Sequence, residues 1–149
     1  MLTAKDVMST EVITTSPDTD ISQAARLLLE RHINGIPVVD SEMRVVGILC
    51  QSDLIAQQKK VSLPSLFTLL DGFISFSSTK NLDKEFQKIA ALKVSEAMTS
   101  DPVLVSPDTS IEDVATLMVN RGFHTIPVVQ DGRLVGVIGK EDVLKTIIS

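Results

Sequence analysis

The chain has no Trp, no Tyr, a single Cys and only five Phe among its 149 residues. Stacking platforms for single-stranded nucleic acid need aromatic faces, and this chain is short of them. It also lacks a basic surplus: the net charge is -5, whereas phosphate neutralisation needs a positive surface. No nucleic-acid partner is expected. The lone Cys50 has no partner for an internal disulfide, which points to a reducing, cytoplasmic location. The opening MLTAKDVMST lacks the basic-then-apolar order of a secretory signal. No apolar run reaches the ~18 residues of a membrane span, so no membrane association is expected.

The usual enzyme signatures are missing as well. No GxGxxG follows a strand and no P-loop Gly-Lys-Ser/Thr occurs. His32, His124 and Cys50 have no zinc-type spacing, and no nucleophile elbow frames a Ser. A non-enzyme is expected, with no catalytic residue, no metal and no obligatory cofactor. With 44% hydrophobic and 22% charged residues, the chain has the composition of an ordinary globular protein.

What the chain does contain is a repeat. Residues 36–54, IPVVDSEMRVVGILCQSDL, return as residues 126–143, IPVVQDGRLVGVIGKEDV. Upstream, Ser16-Pro17-Asp18-Thr19 returns as Ser106-Pro107-Asp108-Thr109, and Met8 as Met98. The offset is 90 positions up to the second Ile-Pro pair. It falls to 89 across the turn Gln130-Asp131-Gly132, a place where a repeat tolerates a deletion.

Each copy predicts the same elements. A short helical turn at Ala4–Met8 is followed by a brief strand at Val12–Thr15. A helix then starts with Asp18, Thr19 or Asp20 as N-cap, buries Ile21, Ala24, Ala25, Leu28 and Leu29, and ends near Arg31 to Asn34, with Gly35 as a stop or turn residue. Ile36–Asp40 and Val45–Leu49 read as an antiparallel hairpin covered on both faces, and a second helix runs from Cys50–Asp53 to about Gln58. The expected layout is a first repeat over 1–56, a helical insertion over 57–93 and a second repeat over 94–149. The insertion holds four of the five Phe and a charge of +3, from six Lys against three acids. It reads as a helical lid on the core, or as a contact surface for another protein.

The order and duplication of VMSTEVITTSPDTDI, NGIPVVD and VVGILCQSDL, answered by AMTSDPVLVSPDTSI and HTIPVVQDGRLVGVIGKEDV, resemble a tandem pair of cystathionine-β-synthase-type (CBS) domains, a Bateman module of the stand-alone, prokaryotic kind. The resemblance implies an α/β (α+β) fold of two β-α-β-β-α repeats packed with pseudo-two-fold symmetry. It further implies two equivalent clefts, a homodimer, and a regulatory, energy-sensing role. The implied ligands are adenosine compounds (AMP, ADP, ATP or S-adenosylmethionine), with signalling to a separate target protein. The alternative is a dimeric interaction module with vestigial clefts, acting through the Phe-rich insertion.

The resemblance also nominates site residues. Its Gly-x-x-(Thr/Ser)-x-x-Asp element is Gly47 to Asp53 in one copy and Gly136 to Asp142 in the other, with Cys50 and Gly139 in place of the hydroxyl residue. Asp53 and Asp142 would accept from ribose hydroxyls. Before the hairpins, Asn34-Gly35 and His124-Thr125 would face a phosphate, joined by Lys140 at the helix start. Thr10 and Val12, with Ser100, Pro102 and Val103, would line the adenine slot together with Ile36-Pro37 and Ile126-Pro127. On this reading His124, Thr125 and Asp142 make the second copy the better site for an anion. Bland readings stand beside these. An Asp near N3 is also half of a capping box, a His near a strand end is commonly structural, and Cys50 reads as a small buried hydrophobe.

Overall fold

The computed structural model describes residues 1–57 and 92–148. The helical reading of the insertion lies outside the described residues. In chain order the elements are α1 (Ala4–Val7), α2 (Ile21–Glu30), β1 (Gly35–Val39), β2 (Val45–Cys50), α3 (helical at 51–57), α4 (Val94–Ala97), β3 (Thr99–Ser100), α5 (Ile111–Arg121), β4 (Thr125–Gln130), β5 (Arg133–Gly139) and α6 (Lys140–Ile148). The α/β fold of two like repeats expected from the duplication is the fold observed.

Each repeat is built on an antiparallel hairpin. Ile36 faces Leu49 across β1–β2, and Ile126 faces Ile138 across β4–β5. The two turns reach the same result by different chemistry. In the first, the Asp40 carboxylate accepts the Glu42 and Arg44 N–H groups at 2.8 and 3.0 Å. In the second, Asp131 and Gly132 both take positive φ, 53° and 81°, the combination a two-residue hairpin turn favours. The strand expected at Val12–Thr15 contracts to a single bridge. Thr15 N–H donates to the Pro37 carbonyl at 3.1 Å and its own carbonyl accepts from Val39 N–H at 2.9 Å. Val105 does the same against Pro127 and Val129.

Two expectations about α2 are corrected. α2 ends at Glu30 with Arg31 as C-cap, within a residue of the expected end, but the left-handed turn falls on His32 at φ 53° and not on Gly35. Gly35 opens β1 instead, where a Cβ would come within 3.3 Å of both Cys50 Sγ and Thr125 Cβ. Leu29 is not core, being 72% exposed, while Leu27 packs on the cluster with Ala24 and Leu28. Three consecutive leucines cover about 200° of a helix, more than one core face can bury.

The helix starts also differ. Ser110 Oγ caps α5 by accepting from Asp113 N–H at 3.1 Å. Asp20, the N-cap of α2, spends its carboxylate on Lys93 Nζ at 2.7 Å instead.

That ion pair belongs to a wider exchange. The segment that opens each copy packs on the other copy. Ala4 N–H donates to the Thr109 carbonyl at 2.7 Å, Lys5 N–H to Pro107 at 2.9 Å, and Ser9 pairs with Val137 on the edge of β5. Ala4 is buried in one core with Val114, Ile126, Val128 and Ile138. Reciprocally, Val94 N–H donates to Thr19 and Ser95 N–H to Pro17, and β3 pairs with β2 through Gly47 and Ser100. Val94 is buried with Ala24, Leu28, Ile36 and Leu49. Each hydrophobic core is thus closed by a clasp drawn from the opposite half of the chain. Among the described residues no helix is long and apolar enough to cross a membrane.

Candidate functional site

The clasps set the composition of two clefts. Each hairpin ends at a helix whose third residue is an Asp. At α3 the Asp53 Oδ2 accepts Cys50 N–H at 2.8 Å, and at α6 the Asp142 Oδ2 accepts Gly139 N–H at 2.8 Å. This is the capping half of the reading made from the sequence: an N3 carboxylate satisfies the N-cap donor and faces the positive helix end. One oxygen of each carboxylate is left over. Asp53 Oδ1 accepts Thr99 Oγ1–H at 3.3 Å, across the boundary between copies. Asp142 Oδ1 has no partner among the described residues.

The larger cleft, about 620 Å³, lies at Asp53. From the first copy it takes Cys50, Gln51, Ser52, Asp53 and Asn34; from the second it takes Thr99, Asp101, Pro102 and Val103, then Arg121, Phe123, His124 and Thr125. The smaller, about 180 Å³, lies at Asp142. It takes Gly139, Lys140, Glu141, Asp142 and Thr125 from the second copy, and Ser9, Glu11, Val12, Ile13, Asn34, Gly35 and Pro37 from the first. Ligand pockets commonly measure roughly 300–1,000 Å³, a range that holds the first cleft and not the second.

This redistributes the residues nominated from the sequence. His124 and Asp142 line different clefts. His124 lines the Asp53 cleft, and Asn34-Gly35 lines the Asp142 cleft, so the second copy does not form one anion site. Each of these loops is held to its own copy's helix start, where the His124 carbonyl accepts Lys140 N–H at 3.0 Å and the Asn34 carbonyl accepts Gln51 N–H at 3.1 Å. Ile36 and Ile126 are fully buried at 0% exposure in the two cores and line neither cleft, and Pro127 is buried with them. Thr10 and Ser100 are exposed and also lie off both linings. Asn34 and Thr125 line both clefts, because β1 and β4 meet there.

Sequence reasoning passed over Arg121, Thr99 and Glu141. A signal for two of them was present: Arg121 answers Arg31, and Thr99 answers Ser9 at the same offset of 90. Cys50 is half-buried, and burial, helped by the Asp53 charge, pushes its thiol up to about 11. It behaves as a small apolar side chain beside Gly35, as its sequence context implied. Among the described residues no three His, Cys, Asp or Glu are grouped to hold a metal ion.

Comparison with known proteins agrees with this architecture. The family model for the CBS domain matches residues 4–60 and 94–149. The chain is 30% identical over 134 residues to the chloroplastic CBS domain-containing protein CBSX2 of Arabidopsis thaliana, across 87% of this chain and 56% of that protein. It thus spans little more than half of that relative. It is 27% identical to the uncharacterized protein MJ1426 of Methanocaldococcus jannaschii, across 97% of this chain and 90% of that one. The crystal structure of CBSX2 in complex with AMP superposes with a TM-score of 0.75 at 26% identity, covering 99% of this chain and 97% of that one. Two matched segments, two hairpins and two clasped clefts lead to one conclusion: the chain belongs to the CBS-domain family and carries the domain as a tandem pair.

Proposed function

We propose that the chain is a non-catalytic regulatory module that senses adenosine-containing ligands in its two clefts and passes their presence to a target protein. One observation carries the reading. Each cleft combines an N3 carboxylate from one copy with the short apolar segment, Val12-Ile13 or Pro102-Val103, from the other. A carboxylate can accept from both vicinal hydroxyls of a ribose, and an apolar slot suits a flat base. The AMP complex of CBSX2 supports adenosine as the common part of the ligand.

In this reading Asp53 and Asp142 hold ribose, and His124 and Lys140 lie toward the 5′ side. The repeats occupy 1–56 and 94–149, with 57–93 inserted between them. The module works as a homodimer. Leu144, Ile147 and Ile148 on α6 and Val119 on α5 leave apolar surface exposed, and a second copy would cover it.

The test is thermal unfolding of the full chain with AMP, ADP, ATP or S-adenosylmethionine. A ligand at a hundred times its Kd stabilises the fold by about 2.7 kcal/mol through mass action. At least one of the four is expected to raise the melting temperature. No shift and no calorimetric heat with any of them would remove the reading.

A further inference from the structure

Resting on that reading, we infer that the two clefts are sorted by ligand charge: the Asp53 cleft takes a phosphorylated adenosine nucleotide, and the Asp142 cleft takes an adenosine compound without phosphate. The charges lining the two clefts differ in kind. The Asp142 cleft presents three carboxylates, Glu11, Glu141 and Asp142, against one ammonium, Lys140. The Asp53 cleft presents two carboxylates, Asp53 and Asp101, with the Arg121 guanidinium and the His124 imidazole among them.

Those two donor groups are available. Neither Arg121 nor His124 is paired with a carboxylate among the described residues. A guanidinium presents a planar fork of donors that matches phosphate oxygens, and an imidazole adds a further donor beside it. Both Asp53 oxygens accept from protein donors, Cys50 N–H and Thr99 Oγ1–H, which offsets part of the repulsion of a phosphate and leaves a further lone pair on each for a ribose hydroxyl.

The opposite cleft is arranged the other way. One Asp142 oxygen accepts from Gly139 N–H, and the other has no donor among the described residues. A ligand hydroxyl or ammonium satisfies it; a phosphate is repelled by it and by the two glutamates. Size acts in the same direction. At about 180 Å³ against about 620 Å³, the Asp142 cleft has to open for any nucleoside and has least to open for one without a phosphate tail.

Isothermal titration of AMP and of adenosine into single-cleft variants of the full chain tests this. Asp142→Ala leaves the Asp53 cleft, and Asp53→Ala leaves the Asp142 cleft. The ratio of AMP to adenosine affinity is expected to be at least tenfold higher in the first variant than in the second. Equal ratios would overturn the sorting while leaving the adenosine reading intact; no heat from either compound in the unmodified chain would sink both.

Because each Asp also caps a helix, its removal can unfold the protein, so a second route keeps the caps. In the otherwise unmodified chain, Glu11→Gln with Glu141→Gln should admit a second equivalent of AMP, and Arg121→Ala should weaken the first at least tenfold. An AMP stoichiometry of two before any substitution, or an unchanged one after the glutamates are neutralised, would overturn the proposal.

Discussion

Met8 lies across the bare backbone of Gly136, and its pseudo-symmetric counterpart Met98 lies across Gly47. A Cβ on Gly136 would meet Met8 Cγ at 2.9 Å and the Ser9 carbonyl at 3.1 Å. On Gly47 it would meet Met98 Sδ at 2.5 Å and the Thr99 carbonyl at 2.9 Å. These glycines are there because the clasp needs the space. Neither has the positive φ that would require glycine for backbone reasons.

Gly47→Ala and Gly136→Ala are therefore expected to destabilise the fold by about 1–3 kcal/mol, the usual cost of overpacking. The effect should be larger at Gly47, because the Thr99 carbonyl there is the closer of the two backbone obstacles. Thermal or urea unfolding checks this. A melting temperature unchanged in both variants would mean that the clasps do not bear on these positions in solution.

Two carboxylates tie turns together through backbone donors and give the protein an acid-sensitive seam. Asp6 accepts Thr3 N–H at 2.9 Å at the start of α1, and Asp40 accepts two N–H groups in the first hairpin turn. These backbone hydrogen bonds hold both carboxyls below the ordinary value of 3.8. For a lowered carboxyl, the stabilisation is fully present above the unfolded value and disappears as pH falls through the folded one. The contribution of Asp6 and Asp40 is thus expected to be constant above the ordinary carboxylate range and to fall as the solution is acidified through it. Asp40→Asn should reduce that acid dependence, and carboxyl-resolved NMR titration should place both groups below 3.8.

Cys50 should be a poor nucleophile. A thiol moved from 9.0 to about 11 holds roughly a hundredfold less thiolate at neutral pH, and the thiolate is the reactive form. Iodoacetamide labelling of the native chain is expected to be slower than labelling of the urea-unfolded chain by about that factor. Equal rates would show that the side chain is neither buried nor placed against Asp53.

The hairpins, their shared helix periods and the two N3 aspartates were legible in the sequence because each is a local pattern. The spacing from Gly47 to Asp53 and from Gly136 to Asp142 is short enough to fix the carboxylate against its own N-cap whatever the rest of the chain does. The partner of each clasp was not legible. Met8 and Met98 precede segments that both run into Ser-Pro-Asp-Thr, and Gly47 and Gly136 both sit in a Val-Gly apolar strand, so nothing local distinguishes docking at home from docking across. His124 lines the Asp53 cleft and not the Asp142 cleft, although its carbonyl accepts Lys140 N–H at the start of the Asp142 helix. Ile36 and Ile126 failed as slot residues for a simpler reason: an apolar side chain looks the same in sequence whether it lines a cleft or fills a core. Leu29 shows the reverse case, an apolar residue that the helix turns outward.

The crossed clasps leave neither half able to close its own core. A chain cut between the copies would give two fragments, each carrying the other's missing piece, and these should recombine into one particle. The same complementarity is available between molecules. At high concentration the seat formed by Gly136 can accept a Met8 segment from a neighbouring chain without any new contact being invented, giving an exchanged dimer with the same interior. Concentration and the length of chain joining the halves both bear on whether two such molecules share their clasps or keep them.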